Sequence, residues 1–288
     1  MIHYTHALLG LSTYTATDQR NLEARTRYAL LAAAVIGSVI PDIDVIVRYT
    51  EIGQLNYQMW HRGITHSLVA IPIWAWLITW IAGHIFRTKD RRIFRISLIT
   101  VSTHIFTDCL NPWGTGLFEP FFDYRVTFGV ISYIDRVMPI LLIAGVLLTL
   151  LLRSRFQAHR ISRWVWVAVI LHVVIQSVMA GMIYFEEKKS NDQVMLAANP
   201  SPWKFLAVSR SGEFHKISYG TVHSREVIDA FVSLPITDEI LALDPKAEIL
   251  DKWAHMLILN ETPNGYLLFD PRFYNGQSSF LSLEFPKP

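Results

Sequence analysis

The chain is poor in charge, in cysteine and in long basic runs, and each scarcity excludes something. Only 17% of its 288 residues are Asp, Glu, Lys or Arg, against about a quarter in ordinary soluble domains. With 51% hydrophobic residues and a mean hydropathy of +0.29, this argues for a membrane protein before any motif is considered. A single cysteine, Cys109, excludes an intrachain disulfide. A formal net charge of +2 without a long basic stretch excludes a nucleic-acid binder. The opening "MIHYTHALLGLSTYTATDQR" has no basic n-region and an interrupted apolar run, so it does not read as a cleavable signal peptide. There is no internal repeat and no low-complexity segment.

What is present is apolar and aromatic. Nine Trp and eleven Tyr suit membrane interfaces. A helical span needs roughly 17–25 apolar residues, and candidate spans occupy 28–47, 67–86, 93–110, 137–152 and 164–185. A sixth, shorter segment at 3–16 crosses or re-enters. The expected fold is therefore mainly α, a polytopic helical membrane domain of five or six segments over 1–187. It is followed by a small soluble α+β domain over 188–288, where apolar runs shorten and "WKFLAV–SRSGE–FHKISYG" and "ETPNGYLLFD" carry hairpin and turn signals. "KAEILDKWAHML" reads there as an amphipathic helix.

Three connections are basic: one with Arg20, Arg25 and Arg27, one with Arg87, Lys89, Arg91, Arg92 and Arg95, and one with Arg153, Arg155, Arg160 and Arg163. With 3–16 counted, all three fall on one face, which the positive-inside rule makes cytoplasmic. The C-terminal region then lies on the non-cytoplasmic side of a prokaryotic plasma membrane.

Histidine and aspartate gather on that opposite face. "GSVIPDID" carries Asp42 and Asp44 directly after Pro41, which ends or bends a helix. "HRGITHS" carries His61, Arg62 and His66, and "HIFTDCLNPWG" carries His104 and Asp108. His3 and His6 open the first segment, and Asp135 opens the fourth span. His104 and Asp108, four apart, share one face of a helix. Ionisable residues at membrane depth are costly and usually functional. Taken singly each has a plain reading, such as a helix cap, a hydrogen-bonded interhelical histidine or a solvated loop; their coincidence on one face does not. His84 and His172 fit no cluster and read as structural. Trp74, Trp76 and Trp80 read as packing and belt residues.

These motifs resemble the YdjM-like family of predicted membrane-bound, metal-dependent hydrolases, which includes the LexA-regulated inner-membrane protein of enteric bacteria. The resemblance covers roughly 1–150. More distantly the motifs are similar to the all-helical zinc-dependent phospholipase C group. The resemblance implies a metal site built from His6, Asp42, His61 or His66, His104 and Asp108. Imidazole and carboxylate donors suit zinc, with manganese or iron as alternatives. On this reading His6, Asp42, His61, His66, His104 and Asp108 bind the metal. Asp44 bridges ions, orients a histidine or acts as a base, Arg62 holds a phosphate, and Asp135 is a further catalytic residue. The expected activity is hydrolysis of a phospholipid or lipid-linked ester, with membrane lipid as partner and no nucleic acid. The alternatives are an ion or metal transporter, and a non-catalytic protein whose helices a metal staples.

Overall fold

A computed structural model describes residues 3–152 and 155–286. The helices are α1 (His3–Ala16), α2 (Ala24–Gly37), α3 (Glu51–Leu55), α4 (Tyr57–Trp60), α5 (Ala70–Ile85), α6 (Arg92–Cys109), α7 (Val137–Leu152) and α8 (Arg155–Lys188). Strands β1 (Gln193–Ala198), β2 (Phe205–Ser211), β3 (Phe214–Gly220) and β4 (Arg225–Val232) form an antiparallel meander. Two helices, α9 (Asp238–Leu241) and α10 (Pro245–Trp253), precede a second antiparallel sheet of β5 (Ile258–Thr262), β6 (Gly265–Phe269) and β7 (Ser282–Pro286).

The helices do not make five or six spans. Among the described residues one helix, His159–Lys188, is long and apolar enough to cross a membrane. The number rises to three if each of two bent pairs is one span: Ala24–Gly37 with Ile40–Tyr49, bent by 49°, and Tyr57–His66 with Ala70–Ile85, bent by 68°. Length and polarity explain the shortfall. A 14-residue α1 or α2 rises about 21 Å, short of the roughly 30 Å hydrocarbon core. The 18-residue α6 carries Arg92, Arg95, Ser97, Thr100, His104 and Asp108, whose polarity lowers its hydropathy. The apolar α7 is 16 residues long. Conversely α8 extends N-terminally beyond the expected 164–185 and absorbs Arg160 and Arg163 of the third basic segment; Arg153 of that segment lies outside the described residues.

The helical part is apolar outside and partly polar inside. Ile73, Trp76 and Trp80 on α5, Ile140 and Leu147 on α7, and Ile170, Val174 and Phe185 on α8 are exposed. Thr100, His104, Asp108 and Gln176 are buried. A continuous exposed apolar surface of this kind suits a lipid environment. One core joins Ala29, Leu30, Ala33 and Ala34 of α2 to Ile71 and Ile78 of α5 and Ile96, Val101 and Ile105 of α6. A second joins Leu9 of α1, Met138 and Leu142 of α7 and Ile183 of α8 to Val194 of β1 and Phe205 of β2.

Two glycines set how closely the site-bearing helices approach. A Cβ at Gly10 would lie 2.3 Å from Ser38 Oγ and 2.5 Å from the Ala34 carbonyl, and one at Gly37 would lie 2.4 Å from Thr100 Oγ1. Helices α1 and α6 can therefore close on the C-terminal end of α2 only because these positions lack side chains. The chain then leaves α2 through a ten-residue 3-10 segment, Ile40–Tyr49, with Pro41 in its first turn. Proline there loses no helical hydrogen bond, since first-turn N–H groups are unpaired anyway.

Candidate metal centre

Five chain segments converge behind Pro41. Helix α1 supplies His3 and His6, the 3-10 segment supplies Asp42 and Asp44, and α6 supplies His104 and Asp108. The chain leaving α4 supplies His61 and Arg62, and a short 3-10 turn, Ile64–His66, supplies His66. Arg62 adopts a left-handed backbone with φ 60°, a costly conformation for a residue with a Cβ. Its amide donates to Asp44 Oδ2 at 2.9 Å, which holds it there.

Ligand atoms of Asp42, His66, His104 and Asp108 all lie within 4.8 Å of one another, as do those of Asp42, Asp44 and His61. In the first set His66 Nε2 is 3.1 Å from His104 Nε2. It is 3.3 Å from Asp42 Oδ1 and 3.6 Å from Asp108 Oδ2. His104 Nε2 is 3.5 Å and 3.6 Å from the same two oxygens. Bonds of about 2.0–2.2 Å to a tetrahedral ion place its donors roughly 3.3–3.6 Å apart, so this buried set fits a metal ion.

Hydrogen bonding fixes which ring nitrogens face inward. His104 Nδ1 lies 2.7 Å from the Ser38 carbonyl oxygen. A carbonyl only accepts, so Nδ1 carries the hydrogen and neutral His104 presents a lone pair at Nε2. The Thr65 hydroxyl donates to Asp44 Oδ2 at 2.6 Å and therefore accepts from His66 Nδ1 at 2.9 Å. His66 Nε2 is then also a lone pair. Two imidazole lone pairs and two carboxylates facing one another need a cation or a proton between them. Charge points the same way: three buried carboxylates, Asp42, Asp44 and Asp108, face one buried guanidinium, Arg62, leaving two negative charges when the histidines are neutral.

Asp44 does a different job from Asp42. It accepts from His61 Nδ1 at 2.9 Å, from the Arg62 amide and from Thr65, with His66 Nδ1 at 3.3 Å. These bonds suit a residue that orients histidines, while its place beside Asp42 and His61 also suits a ligand shared with a second ion. Arg62 is buried, its Nε 3.1 Å from Asp108 Oδ2 and its Nη1 donating to Asn111 Oδ1 at 2.9 Å. It holds Asp108 rather than facing outward to receive a phosphate. His6 Nε2 sits 3.3 Å from Asp108 Oδ1, and its ring stacks on His104 with centroids 3.8 Å apart.

Asp135 is placed elsewhere. It caps α7 through the Met138 amide at 2.7 Å and pairs with His172 Nε2 at 3.2 Å, so neither bond ties it to the cluster, and His172 gains a carboxylate partner. The sequence gives His3 no ligand role, yet its Nδ1 lies 2.7 Å from Asp42 Oδ2 and its side chain is 59% exposed. Its spacing of three from His6, one helical turn, was the available signal. Thr65, Asn111 and the Ser38 carbonyl carried none beyond adjacency to the motifs.

A second layer comes from the 111–128 loop and the C-terminal region. Arg125 donates to the carbonyls of His61, at 3.0 Å, and Met59. Burial pulls its guanidinium down to about 10, against the opposing pull of Glu119. Burial also raises the Glu119 carboxyl, with Arg125 opposing. Trp113 meets the His61 ring on one side and Trp253 and Phe273 on the other. Arg272 donates to the Pro112 carbonyl at 2.8 Å. Cavities of about 650, 840 and 380 Å³ lie in other parts of the molecule and are not lined by the cluster. His6, His66, His104 and Asp108 are at most 1% exposed, while Asp42, Asp44 and His61 form the rim at 5–9%.

Residues 1–184 match the family model described as YdjM inner membrane protein. A relative from Bacillus subtilis (strain 168), "Uncharacterized protein YfhP", is 28% identical over 135 residues, 46% of this chain. The chain spans only 41% of that relative's length. No solved structure matches the chain.

Proposed function

The chain belongs to the YdjM inner membrane protein family, and from that membership and the buried His/Asp cluster we propose a membrane-embedded, metal-dependent hydrolase of phospholipid or lipid-linked esters. The observation that supports the metal is the donor set itself, two inward lone pairs from His66 and His104 against Asp42 and Asp108 at 3.3–3.6 Å; the hydrolytic part of the reading rests on the resemblance of the motifs to metal-dependent hydrolases. Asp42, His66, His104 and Asp108 hold the ion. Imidazole with carboxylate in four-fold array favours zinc over manganese or iron. If bound there, such an ion would supply a more acidic water near neutral pH and charge stabilisation for an ester or phosphoester oxygen.

The chain's own groups do the rest. Asp44 keeps His61 and His66 in the tautomer and orientation that binding needs. Arg62 and Asn111 hold Asp108. His3, at the exposed rim on Asp42, is placed to move a proton between solvent and the site. Substrate enters at this rim, since the other ligands are closed off. The site and the C-terminal region lie on the non-cytoplasmic face, opposite the basic segments. To test the activity, the metal-loaded protein is incubated with a phospholipid panel and products are followed by mass spectrometry. Turnover that disappears on chelation and in Asp42→Asn, His104→Ala is expected; a fully metallated, folded protein with no turnover of any lipid would sink the enzyme reading.

The burial of the cluster favours a second reading, a metal that staples α6 to the 3-10 segments carrying Asp42 and His66 without catalysis. Structural sites are closed, whereas catalytic ones keep an open position. Metal spectroscopy with cobalt separates the two: an added azide ligand perturbs the spectrum of an open site and leaves a closed one unchanged.

A further inference from the structure

A second charged cluster lies at the far end of α6. Residues 91–95 stand 13 positions before 104–108, about 20 Å along a helix. Here the turn between α5 and α6 borders an open cavity of about 840 Å³. Arg87, Lys89, Arg91 and Arg95 line it together with Trp80 and Phe94. The nearby carboxylate does not neutralise these cations, because Asp90 is taken by Arg92 through its backbone amide, Nε and Nη2 at 2.6–2.9 Å. Among the described residues the side chains of Arg87, Lys89, Arg91 and Arg95 have no acidic or hydrogen-bond partner.

The turn is held in place. Arg87 has a left-handed φ of 51°, the Thr88 amide donates to the Gly83 carbonyl at 3.1 Å, and the Thr88 hydroxyl meets that of Thr26 at 3.1 Å. Apolar surface adjoins the cavity: Trp76, Trp80, Ile81 and Ile85 on α5 and Phe94 and Ile99 on α6 are exposed. A ligand fitting both parts carries a phosphate against the cations and long apolar chains along the helices.

We propose that this cavity binds the headgroup of an anionic phospholipid of the surrounding leaflet. Its phosphate sits among Arg87, Arg91 and Arg95, with Trp80 and Phe94 against the glycerol and first acyl carbons. Basic pockets between helices at a membrane surface recognise such headgroups, each cation contributing roughly fivefold in affinity. The inference does not rest on the hydrolase reading.

The test is native mass spectrometry of the full chain released from mixed micelles of phosphatidylglycerol and phosphatidylcholine. The parent protein is expected to retain phosphatidylglycerol roughly tenfold or more over phosphatidylcholine. Arg87→Gln, Arg91→Gln, Arg95→Gln together should abolish the preference. The charge-matched control Arg25→Gln, Arg27→Gln, Arg163→Gln should keep it. Brominated phosphatidylglycerol should also quench the parent's fluorescence more than that of a Trp80→Phe variant, a readout that needs no loss of charge. An unchanged preference in the first variant, an equal loss in the control, equal quenching with and without Trp80, or displacement of the lipid by millimolar inorganic phosphate would each overturn the proposal.

Discussion

His66 Nε2 faces His104 Nε2 at 3.1 Å, and each ring has committed its other nitrogen to a hydrogen bond it must donate, His104 to the Ser38 carbonyl and His66 to Thr65. Two lone pairs brought this close repel unless something positive lies between them and the carboxylates of Asp42 and Asp108.

Metal content follows directly. The purified protein is expected to carry about one tightly held divalent ion per chain by elemental analysis. His66→Ala or His104→Ala should weaken binding by more than the roughly 10–100-fold typical of losing a group that only orients a ligand. Full retention in the double alanine variant would show that the cluster is not the metal site.

Asp42 and Asp44 should separate in their effects. Asp44→Asn keeps the shape but lets the His61 and His66 rings turn, so affinity should fall about 10–100-fold while metal still binds. Asp42→Asn removes a direct donor and should cost more. Zinc titration against a competing chelator measures both, and the reverse ranking would exchange their roles.

Gly10→Ala probes the scaffold from outside the cluster. Its new methyl would meet Ser38 Oγ and the Ala34 carbonyl, forcing α1 away from α2. A cost of about 1–3 kcal/mol is expected. Because Ser38 orients His104 and α1 carries His6, metal affinity should fall with it. Thermal melts of metal-loaded and chelated protein read the two effects separately; unchanged melting would mean that α1 and α2 do not pack this closely.

Glu119 gives a pH dependence of definite sign. Its folded pKa is raised by burial, so its stabilising contribution is fully present below the ordinary glutamate value, near 4.3. It is lost as pH rises through the folded value. Glu119→Gln should therefore match the parent in melting temperature near pH 4 and exceed it near pH 7. A variant less stable at pH 7 than at pH 4, relative to the parent, would mean that the Arg125 attraction outweighs burial.

Sidedness is open to direct labelling. Cys109 is buried at 2% exposure and should stay silent to a membrane-impermeant maleimide, whereas a cysteine in place of the exposed Lys252 should label from the non-cytoplasmic side of intact cells. Labelling only after lysis would place the C-terminal region in the cytoplasm.

Much of the site was legible because its chemistry is local in the chain. The i, i+4 spacing of His104 and Asp108, the proline before Asp42 and the pair His61 and His66 each announce themselves within a few residues. The β2–β3 hairpin is readable for the same reason, since WKFLAV and FHKISYG flank the turn signal SRSGE. Counting spans failed because hydropathy measures composition over a window and is blind to direction. The run 28–47 is apolar enough, yet the chain turns by 49° inside it, and Ser97, Thr100, His104 and Asp108 of α6 face a protein interior that a window average cannot see.

By itself the sequence determined the membrane character, the motif residues and where the chain must bend, because composition, proline geometry and helical periodicity act within a few turns. Only the tertiary structure decided how those residues divide the work. Asp42 turns to His66 and His104, whereas the Thr65, Arg62 and His61 donors all reach Asp44 across the 17 to 21 residues that separate them. Asp135 went to His172, and Arg62 turned inward to Asp108. Such assignments depend on which hydrogen-bond donors meet which oxygens once distant segments pack, and no local pattern encodes that.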